Sequence, residues 1–109
     1  MKDSIKKTRE YQKIYKRGKS FANKYLVMYI LTNERTENRL GISVSKKVGN
    51  SVVRHRLTRL IRECFRLNKD RFINGIDIVI IARTGAKDID YNKLEQAFFH
   101  LLKLHKIMK

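Results

Sequence analysis

One stretch of the chain, residues 51–67, concentrates the groups best suited to hold phosphate. Wound as a helix at about 100° per residue, it brings His55, Arg59, Arg62 and Arg66 onto one face at i, i+4, i+7 and i+11. Arg54 and Arg56 lie toward either edge of that face, and Val53, Leu57, Leu60, Ile61 and Cys64 make an apolar face opposite. A guanidinium is planar, permanently charged and able to offer two parallel hydrogen bonds to one oxyanion, so a row of them on a rigid rod suits phosphate oxygens. Most charged helix faces are simply solvated. This one has a single acid, Glu63, placed to pair with Arg59 or with Arg56 around the edge, and such imbalance points to a polyanion. The chemistry is binding, not catalysis. Just upstream, Lys46-Lys47-Val48-Gly49-Asn50 reads as a turn, with Asn50 as N-cap. Lysines beside the amides of a helix N-terminus can seat phosphate, although charged turns are also common surface features.

A second set of residues suits bases instead of phosphates. Tyr11 and Tyr15 stand one turn apart on an expected first helix, and Tyr25, Val27 and Tyr29 share one face of an expected strand. Arg39, Ser43 and Ser45 share the outer face of the next strand. Aromatic rings beside cations let any base stack while the backbone is followed electrostatically. From alternation alone, half-buried packing explains the tyrosines equally well. The remaining reactive side chains carry less. His55, His100 and His105 would support acid–base cleavage of RNA only if two of them flanked one phosphate, and nothing in their spacing requires that. The acids, among them Asp70, Asp77, Asp88, Asp90 and Glu95, show no metal-ligand spacing; Asp88 and Asp90 read as helix caps. Cys64 falls on an apolar face and reads as a small buried hydrophobe.

These groups need elements to position them. The spacing predicts helices over 8–17, 51–67 and a last segment capped by Asp90, with Leu94, Ala97, Phe98, Leu101 and Leu104 or His105 as its apolar stripe. Strands are expected over 21–31, 39–45 and 76–83, with a short extra strand possible; Leu40, Ile42 and Val44 point inward and the 78–82 run is buried on both faces. The order α-β-β-α-β-α gives an α+β single domain, a two-layer sandwich of helices on a small sheet, with an ordered core over about 8–106. At 109 residues there is room for one core. Lysine and arginine number 26 against 10 acids, a net charge of +16 spread from end to end, while 42% hydrophobic residues argue for a folded chain. The longest apolar run, residues 25–31, is far short of the roughly 20 residues of a membrane span. No signal-peptide core is evident, and one cysteine allows no internal disulfide, so a cytoplasmic protein without a membrane partner is expected.

The run Gly41-Ile42-Ser43-Val44-Ser45-Lys46-Lys47-Val48-Gly49-Asn50-Ser51-Val52-Val53-Arg54, followed by Arg56, Arg59, Arg62 and Glu63, strongly resembles the protein component of bacterial ribonuclease P. The likeness extends from residues 10–18 through Ala22-Asn23-Lys24 and residues 78–83 to the last helix. His55 and Thr58 stand where that family usually has Asn and Lys. The resemblance implies an accessory subunit of an endoribonuclease whose catalytic groups and Mg2+ lie on an RNA, with one protein per RNA, no catalytic residue on this chain and no metal bound by the protein alone. The holoenzyme would remove the 5′ leader of precursor tRNA. The resemblance also implies that the helix bearing Arg54, Arg56, Arg59 and Arg62 faces the catalytic RNA, joined by Lys46, Lys47, Asn50, His55 and Arg66. A cleft between the first helix and the sheet would hold the single-stranded leader, with Tyr11, Tyr15 and Tyr29 in it. The implied fold is like ribosomal protein S5 domain 2, with a left-handed βαβ crossover, against the general rule. A small ribosomal-type structural RNA-binding protein is the alternative, and a self-sufficient protein ribonuclease a more distant one.

Overall fold

The computed structural model describes residues 3–109. Helix α1 (Thr8–Arg17) is followed by strands β1 (Lys19–Ala22), β2 (Leu26–Thr32) and β3 (Arg39–Ser43), then helix α2 (Ser51–Asn68), strand β4 (Ile76–Ala82) and helix α3 (Tyr91–His105). The sheet order is β1-β2-β4-β3. β1 and β4 both run antiparallel to β2, whereas β3 lies parallel to β4 and reaches it through α2. The last strand made is therefore central, which accounts for its near-continuous Ile-Val content and its burial at six of seven positions.

The expected strand over 21–31 is two strands. Asn23 folds it: its Oδ1 accepts hydrogen bonds from the amides of Tyr25 (3.0 Å) and Leu26 (2.9 Å), an Asx turn that makes a hairpin. The aromatic and β-branched composition runs straight through this turn and conceals it. β3 ends at Ser43, short of the expected Ser45, because the Ser45 carbonyl accepts from Val48 N and opens the next turn. Asn50 caps α2 as expected, its Oδ1 accepting from Val53 N at 3.0 Å. Asp90 caps α3, accepting from Lys93 N at 2.8 Å, while Asp88 lies exposed and caps neither helix.

Both faces of the sheet are apolar, and they are covered unequally. α2 and α3 pack over one face, where Leu26, Met28, Ile30, Leu40, Ile78 and Ile80 meet Leu57, Ile61, Phe65, Phe98 and Leu101. Here His105, not Leu104, completes the stripe of α3: its Nε2 lies 2.9 Å from the Met28 carbonyl, and Leu104 is largely exposed. On the other face α1 adds a partial third layer, with Ile5, Ile14 and Val79 buried together. The buried set runs from Ile5 to Ile107. No helix of the described residues is long and apolar enough to cross a membrane.

Candidate nucleic-acid interface

α2 buries Leu57, Ile61, Cys64 and Phe65 and leaves His55, Arg59, Arg62 and Arg66 exposed on its outer side, as the helical spacing requires. Glu63 pairs with neither Arg59 nor Arg56, the two partners its spacing suggested. It accepts from Arg66, three residues on, at 2.5 Å and 3.1 Å, because the two side chains lean together over the exposed last turns. Arg59 and Arg62 thus face solvent with no carboxylate partner among the described residues. Arg56 is tethered: its terminal nitrogen donates to the Ile89 carbonyl at 2.5 Å, which fixes the guanidinium against the approach to α3. Arg54 is half-buried at the opposite edge, and its Nε is buried without a hydrogen-bond partner. Thr58 spends its hydroxyl on the Arg54 carbonyl (2.9 Å) and so adds no outward donor. Lys46 and Lys47 are exposed in the turn before the helix, while Val48 between them and Asn50 is buried and anchors that turn.

The second surface is set by strand register. Paired residues point to the same side of a sheet, so two rows cross the face that carries α1. One row is Ser20, Tyr29, Val79 and Gly41; the next is Ala22, Val27, Ile81 and Ser43. α1 lies on the first row. Tyr11 rests on Gly41, where an added Cβ would come within 2.7 Å of the ring. Tyr15 stands edge-on to Tyr29 with ring centroids 5.0 Å apart, and 6.3 Å from Tyr11. Tyr15 remains 39% exposed, and partial burial, followed by the neighbouring phenols of Tyr11 and Tyr29, pushes its phenol pKa upward. The second row is only partly covered: Ile81 packs against the cluster under α1, Val27 joins neither cluster of buried side chains, and Ala22 is exposed. The tyrosines of α1 and the partly exposed row Ala22, Val27, Ile81 and Ser43 beside them outline a groove across the sheet.

Of the residues expected in this groove, one is elsewhere and one is already engaged. Tyr25 sits in the 23–25 turn and packs toward α3, beside Lys93, Gln96 and Ala97, because the hairpin removes it from the β2 alternation. Arg39 does stand on the same side, but its guanidinium is consumed by two acids: Asp77 at 2.7 and 2.9 Å and Glu10 at 2.5 Å. Asp77 is nearly fully buried and also accepts from Asn33 Nδ2 at 2.9 Å. Hydrogen bonding to Asp77, ahead of that to Glu10, holds the Arg39 pKa above its ordinary value. Arg39 is thus a structural clamp between α1 and the sheet. Among the described residues no group of three or more His, Cys, Asp or Glu side chains is arranged to hold a metal ion. His55, His100 and His105 stand on different surfaces, respectively outer α2, outer α3 and beneath β2. Burial pushes the Cys64 thiol up to about 12, which suits a packing residue.

The sequence model of the family described as Ribonuclease P matches residues 1–106. The chain belongs to the ribonuclease P protein family. It is 59% identical over 108 residues to the ribonuclease P protein component of Lachnoclostridium phytofermentans, covering 99% of this chain and 93% of that one. The solved ribonuclease P protein of Staphylococcus aureus superposes with a TM-score of 0.90 at 42% identity, covering 98% of both chains. That of Thermotoga maritima gives 0.85 at 34% identity, over 93% of this chain and 96% of the other. The mixed α+β fold is therefore that of ribonuclease P proteins, and the family places the chain in tRNA processing, as partner of the ribonuclease P RNA. Ala22 and Ile81 were not expected on this surface, since only the pairing of β2 with β1 and β4 brings them beside Val27. The one sequence signal for them was the alternation of β4, and its two-sided burial masks which face is open.

Proposed function

We propose that this chain is the RNA-binding subunit of ribonuclease P, engaging the catalytic RNA through α2 and its entry turn and the single-stranded leader of precursor tRNA along the groove beside α1. The observation that carries this reading is the exposed pair Arg59 and Arg62, held on a rigid helix with no internal carboxylate to neutralise them. Arg54, Arg56, His55 and Arg66 flank them, and Lys46 and Lys47 extend the positive surface past the Asn50 cap. A fixed cation array suits a folded RNA, whose phosphates are themselves fixed, whereas the half-buried tyrosines and aliphatic floor of the groove suit unpaired bases. In this reading the phosphodiester hydrolysis belongs to the RNA with its Mg2+, and among the described residues the three histidines stand on different surfaces. The protein's contribution is to hold substrate and RNA together while neutralising their mutual repulsion. One protein per RNA in the cytoplasm is the arrangement this implies.

The test is cleavage of a precursor tRNA at low magnesium by the cognate catalytic RNA, with and without the protein, and with the protein alone as blank. Cleavage that needs both components is the expected result. A protein that adds nothing, yet still binds structured RNA, would place it among ribosomal-type RNA-binding proteins.

A further inference from the structure

The hairpin turn that takes Tyr25 out of the groove carries it to the edge of a surface on α3 with no role so far. Two depressions of about 290 and 540 Å3 meet there at Gln96 and His100, one helical turn apart. Lys24, Tyr25 and Lys93 border the first; Arg71, Phe99 and Lys103 border the second. No acidic residue lines either. The acid in the middle of α3, Glu95, is turned inward, its Oε2 accepting from Asn68 Nδ2 and the Tyr91 hydroxyl at 2.9 Å each. Each ring has a cation over one face: Lys24 Nζ is 5.6 Å from the Tyr25 centroid, and the Arg71 guanidinium carbon is 5.5 Å from that of Phe99. A ring next to a cation, twice over on one open surface, matches the alternation of base and phosphate in an unpaired strand. The closed bases of a duplex would leave the rings unused.

The groove floor crosses four strands, about 14 Å at roughly 4.8 Å per strand step, which about four or five stacked nucleotides fill at roughly 3.4 Å each. One end of it is Ala22 on edge strand β1, and the next residues are the turn itself. Asn23 ties that turn to α3: its Nδ2 donates to the Ala97 carbonyl at 3.0 Å and lies 3.2 Å from His100 Nδ1. A strand leaving the groove over this corner therefore arrives at Lys24, Lys93 and His100.

We propose that the α3 surface around Gln96 and His100 is a second single-strand subsite, which takes the leader nucleotides that extend past the groove. It rests on the reading that the groove holds the leader. The experiment measures affinity of the holoenzyme for precursor tRNAs with leaders of about 4 and about 12 nucleotides, and for mature tRNA. It compares the unchanged protein with a Lys93→Ala, Lys103→Ala double variant and with Lys93→Glu. Both positions are exposed and form no ion pair, so folding is retained. The expected result is a loss on the order of tenfold on the long leader, with the short leader and mature tRNA unaffected. Equal affinity of variant and unchanged protein on the long leader overturns the subsite. An equal loss on all three RNAs also overturns it, in favour of a contact to the catalytic RNA or the tRNA body. If the unchanged protein gains nothing from any leader, the groove reading itself falls and the subsite with it.

Discussion

Arg39 and Arg59 carry the same charge and do opposite work. Arg59 projects into solvent, so its removal should weaken binding to the catalytic RNA and lower the log–log salt slope by about one unit, with Arg62 behaving alike. Arg39 is already neutralised by Asp77 and Glu10; Arg39→Ala should leave the salt slope unchanged and instead lower the melting temperature. Binding titrations at several salt concentrations separate the two, and a slope change for Arg39→Ala would contradict the clamp. The same cluster sets the acid limit of the fold. Burial opposes ionisation of Asp77, but hydrogen bonds from Arg39 and Asn33 outweigh it and hold the pKa below the usual carboxylate value; Arg39 does the same for Glu10. Carboxyls depressed in the folded state contribute stability that is present above their unfolded pKa, near 4, and is lost as pH falls through the folded values. Burial likewise holds His105 below the ordinary imidazole range, so its contribution is present above about pH 6.5 and fades as pH falls from there. Melting temperature against pH should therefore fall in two limbs. Asp77→Asn should flatten the lower limb, spare the upper one, and cost about 2–3 kcal/mol at neutral pH, less than breaking a fully buried pair because Glu10 still faces Arg39.

At the scale of elements, α1 is held over the sheet by close approach at Gly41 as well as by the Arg39 clamp. A methyl group there meets the far end of the Tyr11 side chain, which can swing aside. Gly41→Ala should thus cost little stability but tilt the tyrosine wall, reducing affinity for leader-bearing precursor several-fold while leaving mature tRNA unaffected. Equal losses on both RNAs would show that Tyr11 does not line the leader path. α2 was legible almost to the residue, because a long helix with one apolar face, an Asn cap and no glycine or proline has a single reading. The β1–β2 hairpin was not, since Asn23 makes its turn with a side-chain oxygen inside a stretch of strand-forming residues. Missing that turn misplaced Tyr25, which lies inside it and so leaves the alternation that Val27 and Tyr29 keep. The pairing of Arg39 was equally hidden. Its partners lie 29 residues before it and 38 after it, and only the parallel β3–β4 register with α1 across it brings them together.

Taken as one body, the molecule carries +16, and among the described residues its ion pairs occupy only Arg39 and Arg66 of all the basic side chains. Self-repulsion opposes the compact state and is relieved by screening. The melting temperature should rise with ionic strength, and rise further at equal ionic strength with multivalent anions that bind the exposed cations of the folded form. A midpoint insensitive to both would mean that the cations are too dispersed to matter. The order of the sheet has a temporal side too. β4 lies between β2 and β3, yet it is the last strand to leave the ribosome, and β3 has no strand neighbour in the sheet until it arrives. A nascent chain that ends before residue 76 holds a hairpin and two helices without the central strand that unites the sheet, and most of its positive charge is already in place. The tyrosine groove, whose floor needs Ile81, and the packed base of the arginine helix, which needs α3, then form together in the final stage of synthesis. Half-made chains thus carry the charge that attracts RNA without the surfaces that would choose among RNAs.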